Sequence, residues 1–345
     1  MKWFAMLALA FVAGGCSTYY GQAIRGQWQL LNESESIAKL IARTNTPPEL
    51  RGKLELVLSL REFAERELKL QPDRHYRRYA DIDRRFVVWN VYAAPEFSLE
   101  DKTWWYPVVG SLSYRGYFRE DLARRRAEAL AADGWDVHVG GVEAYSTLGW
   151  FRDPVLNTFI YQEPADLAET LFHELAHQRV FISGDTDFNE AFATAVAEAG
   201  VRRWLAATDN TVALAEYERA ARRETEFVEL LSRTRTELKA LYAQTNTLTA
   251  DQMRDGKTNA FARLRERQAT LKQSWNGATD YDGWFAQPMN NALLNTVDTY
   301  HHLVPGFTAL LHQHSGNLDA FYRAVRALGR LPQEERHRRL REMAP

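Results

Sequence analysis

The stretch Leu171-Phe172-His173-Glu174-Leu175-Ala176-His177-Gln178, followed closely by Phe188-Asn189-Glu190-Ala191-Phe192-Ala193-Thr194, constrains this chain more than any other part of it. Helical residues four apart project from nearly the same face, about one turn or roughly 5 Å apart, so the imidazoles of His173 and His177 can reach one metal ion. Glu174 stands just beside that pair. Two neutral nitrogen ligands, with a carboxylate near the metal's water but off the metal, is the spacing that zinc-assisted hydrolysis requires. Glu190, thirteen residues after His177, is the natural third ligand.

By accident such a His-Glu-x-x-His pattern arises in roughly one chain in a hundred of this length, so its surroundings decide. Pro164 and Asp166 suit a first helical turn, and Leu167, Leu171 and Leu175 recur every four residues. Ser183-Gly184 can end the helix. With Ala168, Phe172 and Ala176 the leucines form one broad apolar side, which leaves both histidines on the other, facing a cleft. Gly184-Asp185-Thr186-Asp187 then makes a short loop, and a second helix carries Glu190 in its first turn.

At these residues the chain resembles the gluzincin group of zinc peptidases, in which two helices supply two histidines and one glutamate. The order resembles the aminopeptidase N type more than thermolysin, whose relatives have an acidic residue four after the glutamate ligand, where this chain has Thr194. The His177 to Glu190 spacer is shorter than in aminopeptidase N, so that likeness concerns the logic of the site. A broader resemblance covers most of the chain and is to a family of bacterial lipoproteins described as putative aminopeptidases. It rests on Tyr19-Tyr20-Gly21-Gln22-Ala23, Ala93 to Leu99, Ser113-Tyr114-Arg115-Gly116-Tyr117-Phe118, the metal motif through Glu190, and Asn290-Asn291-Ala292. The aminopeptidase N likeness implies an amine-holding glutamate upstream, for which Glu143 in Gly140-Gly141-Val142-Glu143-Ala144-Tyr145 is the matching position, although the family's Met and Asn are absent. It also implies a downstream tyrosine that donates to the oxyanion. Tyr300 is the first candidate for that donor and Tyr281 the second.

The N-terminus reads as an export signal over residues 1–15, because Lys2 precedes an apolar run from Trp3 to Ala13 that is too short to span a bilayer. Ala13-Gly14-Gly15-Cys16 resembles a lipoprotein processing site. Cys16 is the only cysteine and has no partner for an internal disulfide, so acylation explains its position. Ser17, rather than Asp, follows it. The expected location is therefore periplasmic, with the membrane reached through a lipid anchor at Cys16 in the outer membrane of a Gram-negative bacterium. A net charge of -2 with 26% charged residues gives no grip on nucleic acid.

The pattern predicts an α+β, mainly helical fold: a gluzincin-like core with a small sheet ahead of the metal helix, plus helical hairpins. The body spans 16–345. Within it, 17–70 reads as an N-terminal helical hairpin broken by Thr44-Asn45-Thr46-Pro47-Pro48, with Gly26 as a possible interruption. Residues 79–206 carry strands and the metal helices, with strands expected at Phe86 to Tyr92, Trp105 to Gly110, Trp135 to Val139 and Asn157 to Tyr161. The sheet's edge is expected to border the cleft and to bind peptide by backbone hydrogen bonds. Residues 212–275 form a charged helical hairpin and 281–345 the C-terminal helices. No internal repeat is visible.

Together these readings give one zinc ion held by His173, His177 and Glu190, with Glu174 as the base acting on a peptide substrate. Glu198 is either an orienting neighbour of a ligand or a solvated charge. The leading expectation is a zinc aminopeptidase. An envelope endopeptidase, and a non-catalytic lipoprotein with a structural metal and a helical interaction arm, remain the alternatives.

Overall fold

The computed structural model describes residues 16–106, 110–144 and 152–344; the expected signal segment lies outside them. The chain opens with α1 (Cys16–Glu33), β1 (Glu35–Ser36), α2 (Ile37–Ala42) and α3 (Pro48–Arg66). The N-terminal segment is thus three helices, not a hairpin of two. The break at residues 34–36 exists because β1 pairs with β2 (Arg78–Ala80), which in turn pairs in parallel with β8 (Val155–Leu156). Gly26 does not interrupt α1. It is buried, and a β-carbon there would lie 2.2 Å from the Phe118 ring, so glycine allows this close approach.

A second small sheet holds β6 (Tyr114–Tyr117), β3 (Val88–Pro95) and β7 (Trp135–Val142) in that order, all antiparallel. β4 (Trp104–Tyr106) pairs with β5 (Gly110–Leu112). α4 (Glu120–Ala132) covers one face of the three-stranded sheet through Ala123, Ala127 and Leu130. Its Arg124 and Arg125 pair with Glu120 and Asp121 one turn back, which leaves that charge run on a solvated face. The strand expected at Asn157–Tyr161 is instead a series of turns. There the Asn157 side chain accepts from the Ile82 amide and donates to the Arg84 carbonyl, pinning a corner.

The centre of the molecule is the crossing of α5 (Pro164–Arg179) and α6 (Thr186–Ala207). Leu167, Ala168, Leu171, Phe172, Leu175 and Ala176 are all fully buried, as the four-residue repeat requires. α6 is buried on most of its circumference, and Gly200 meets the Phe172 ring where a β-carbon would be only 2.8 Å away. Beyond it, α7 (Thr211–Tyr242) and α8 (Ala250–Ser274) form the charged hairpin. Phe227, Leu231 and Leu238 of α7 pack with Phe261 and Leu264 of α8 in a second core. The hairpin lies against the body: Lys257 pairs with Asp136 at 2.5 Å and Arg254 with Glu96 at 2.7 Å.

The chain ends in α9 (Asp282–Phe285), α10 (Asn291–His301), α11 (Val304–Gln313), α12 (Leu318–Gly329) and α13 (Gln333–Met343). Two buried polar knots tie these helices to the centre. Asn291, fully buried, aims its amide at the carbonyls of Pro95, Glu96 and Ser98 and accepts from the Tyr242 hydroxyl. Asp185 caps α6 by accepting from the Phe188 amide, and also receives Arg336 at 2.6 Å and His337 at 2.9 Å from α13. Among the described residues no helix is long and apolar enough to cross a membrane.

Although burial works to raise Asp185, its bonds to His337, Arg336 and the Phe188 amide hold the carboxyl below the usual range. A depressed carboxylate stabilises the fold above its unfolded value, near pH 4, and loses that contribution as pH falls through the folded value. Asp185→Asn is therefore expected to cost about 2–4 kcal/mol at pH 7, with a smaller difference from wild type at pH 3, as measured by urea unfolding at both values.

Candidate metal centre

One face of α5 is polar throughout. Asp166, Glu169, Thr170, His173, Glu174 and His177 recur by alternating steps of three and one, the i, i+3, i+4, i+7 pattern of one helix face, and all six line a cavity of about 660 Å³. The opposite face is the fully buried apolar one. Burying it turns the polar row, with Asp166 at its exposed end, toward a cavity that α6, the sheet and Tyr19 and Ala23 of α1 also line.

α6 delivers Glu190 to that row. Asn189, next to it, accepts from the Ile182 amide and donates to the Ile182 carbonyl, both at 2.8 Å, which clamps the connection between the two helices. The result is a tight triad. His173 Nε2 lies 3.2 Å from Glu190 Oε2 and 3.2 Å from His177 Nε2, and His177 Nε2 lies 3.5 Å from Glu190 Oε2. Ligands about 2.0–2.1 Å from a tetrahedral zinc lie about 3.3–3.4 Å from one another. The three separations match the edges of such a tetrahedron. The donor set fits as well, since two facing ring nitrogens share at most one proton, whereas a cation between them satisfies both lone pairs and the carboxylate. Burial works to raise Glu190, but the two histidines outweigh it and hold its carboxyl far below the usual range. His177 Nδ1 has no partner among the described residues, so that ring is oriented by packing.

Glu174 lines the same cavity and makes no hydrogen bond or ion pair among the described residues. Burial pushes its carboxyl up to about 8, against the pull of His173. An enclosed carboxyl that titrates near neutrality is suited to receiving and returning a proton.

Sequence reasoning missed Tyr114. This residue of β6 lines the cavity, and burial, then Glu190, Tyr92 and Glu174, raise its phenol well above its ordinary value. It stays protonated, within electrostatic reach of both carboxylates. Its place within Ser113-Tyr114-Arg115-Gly116-Tyr117-Phe118 was the available signal.

The other expected site residues are dispersed. Glu143 follows β7, and its carboxylate accepts from Gln162 Nε2 at 3.0 Å. Val142 and Ala144 line the cavity and Glu143 does not, which leaves the expected amine holder off the cavity wall. Gln162 in turn accepts from Thr170 of the polar row. Tyr281 stacks on Phe227 at 3.9 Å in the hairpin core and is not among the residues that line the cavity. Tyr300 belongs to α10, and its side chain lies outside the described residues, as does that of Cys16, the first residue of α1. Glu198 pairs with Arg202 at 3.0 Å and is neither an orienting neighbour of a ligand nor a solvated charge. Asp187, His302 and His337 form a second gathering of ligand-type atoms, but His337 Nε2 is taken by Asp185.

Comparison with protein families matches residues 18–340 to the family described as putative aminopeptidase. The chain belongs to that family. Comparison with curated proteins and with solved structures found no match. The family match spans α5, α6, β6 and the Asn290-Asn291 segment.

The triad is expected to bind one zinc per chain. Glu190→Gln is expected to lower zinc affinity by more than the ~10–100-fold that loss of an outer-shell partner costs, read by competition with a chelator at pH 7.

Proposed function

We propose that this aminopeptidase-family protein is a zinc-dependent aminopeptidase of gluzincin type. The observation that carries the reading is the triad of His173, His177 and Glu190 at tetrahedral-edge spacing, with the unpaired Glu174 beside it in a cavity. Zinc held there would supply Lewis acidity, polarising a carbonyl and acidifying a water. Glu174 accepts the proton of the water as its oxygen adds to the scissile carbonyl carbon. It then passes that proton to the amine nitrogen as the C–N bond breaks. Tyr114 donates its phenolic hydrogen to the carbonyl oxygen as negative charge develops. The edge strand β6, whose Tyr114 and Gly116 line the cavity, offers backbone groups along which a peptide can align.

Cys16 at the start of α1, with an apolar segment and small residues before it, supports a lipid-anchored protein working in the periplasm at the outer membrane. The anchor and the cavity are close in sequence, since Tyr19 and Ala23 of the same helix line the cavity.

Glu174→Gln is expected to keep zinc and abolish peptide hydrolysis; unchanged hydrolysis would remove Glu174 as the base. Tyr114→Phe is expected to lower kcat by about 10²–10³-fold with zinc content unaltered, measured by steady-state kinetics alongside metal analysis.

A further inference from the structure

The cavity wall that runs from the triad toward the start of α5 is acidic. Asp166 and Glu169 line it. Glu169 shares its helix face with His173, one turn earlier, which sets their β-carbons about 5–6 Å apart. The Tyr217 phenol lies beside the Glu169 carboxyl, and Glu198 and Glu224 are near enough to repel it. Arg202 is engaged at 3.0 Å by Glu198 and at 2.9 Å by Glu218, so Glu169 has no ion pair among the described residues. Burial first, then Glu224 and Glu198, pushes its carboxyl up to about 7. An enclosed carboxylate with no counter-charge is stabilised by any ligand that brings one.

A metal ion is not that ligand. The described ligand-type atoms that gather within 4.8 Å of one another are those of His173, His177 and Glu190, and those of Asp187, His302 and His337; Glu169, Glu198 and Glu224 are spread more widely. A larger cation with several N–H donors fits better, and a primary ammonium is one. Glu174 points to a ligand independently, because it is enclosed, lines the same cavity and has no protein partner among the described residues.

A short reach from amine to carbonyl places the first peptide bond near the triad. In an amino-terminal residue the ammonium nitrogen and carbonyl carbon lie about 2.5 Å apart, from bonds of about 1.46 and 1.52 Å. A charge-assisted hydrogen bond adds about 2.8 Å. The sum keeps the first carbonyl carbon within about 5 Å of the Glu169 carboxylate, on the helix face that carries His173 one turn on. We propose that Glu169 receives the α-ammonium group of the substrate, which sets the first peptide bond against His173, His177 and Glu190 and excludes internal bonds. This assignment rests on the peptidase reading above and gives Glu169 the role that Glu143 does not fill.

The test uses the zinc-loaded full chain with leucine p-nitroanilide and its N-acetyl derivative. Wild type is expected to prefer the free amine. Glu169→Gln is expected to raise KM for the free-amine substrate about 10–100-fold, with kcat little changed, zinc content and Tm retained, and no effect on the acetylated substrate. Glu169→Asp should restore part of the preference. An unchanged KM and preference in both variants would overturn the assignment. Calorimetric binding of leucinamide and N-acetyl-leucinamide in the Glu174→Gln background separates the two claims. Loss of leucinamide binding on adding Glu169→Gln upholds the amine site even if wild type cleaves neither anilide, a result that counts against the peptidase reading alone. Equal binding of both amides overturns the amine site while leaving hydrolysis intact.

Discussion

The crossing of α5 over α6 is the constraint on which the rest depends. Six apolar residues on one face of α5 are fully buried, and each leucine or phenylalanine among them contributes about 1.5–3 kcal/mol. That burial holds the opposite face, with two histidines and the carboxylates of Glu169 and Glu174, against the cavity, where those groups are costly on their own. Gly200 lets the helices approach, Asn189 clamps their connection, and Asp185 anchors the start of α6 to α13. With the helices so held, the side-chain atoms of His173, His177 and Glu190 meet within 3.5 Å.

The stretches that carry the family likeness meet in space. Tyr19 lies under the Arg115 guanidinium at 4.0 Å and edge-on to Tyr117, while Gln22 accepts from the Phe118 amide. Asn291 likewise closes on the carbonyls of Pro95, Glu96 and Ser98. The first junction builds the cavity wall from α1 and β6. The second fixes the sheet against the C-terminal helices and so sets where β6 stands relative to the triad.

Local periodicity made much of this legible in the sequence. The repeat of Leu167, Leu171 and Leu175 fixed which side of α5 is buried, and four-residue spacing aligned His173 with His177. The remainder needed three dimensions. Tyr114 lines the cavity from a strand, with no sequence spacing that could link it to His173. Glu143 was named through a segment likeness, but at the end of β7 and just past it Val142 and Ala144, not Glu143, line the cavity. Tyr281 lies in an aromatic stack whose partners come from another helix. Glu169 was within reach: continuing the His173 face back by one turn arrives at it, yet nothing local says that its surroundings lack a cation. The break at residues 34–36 was equally hidden, because it is imposed by pairing with a strand more than forty residues away.

The central claim is that a single zinc sits among His173, His177 and Glu190. Diffraction from crystals of the zinc-loaded protein, recorded at the zinc absorption edge, tests it most directly. The account predicts one anomalous peak about 2.0–2.1 Å from both Nε2 atoms and the Glu190 carboxylate oxygen. A peak elsewhere, or ligation that leaves out Glu190, would contradict it.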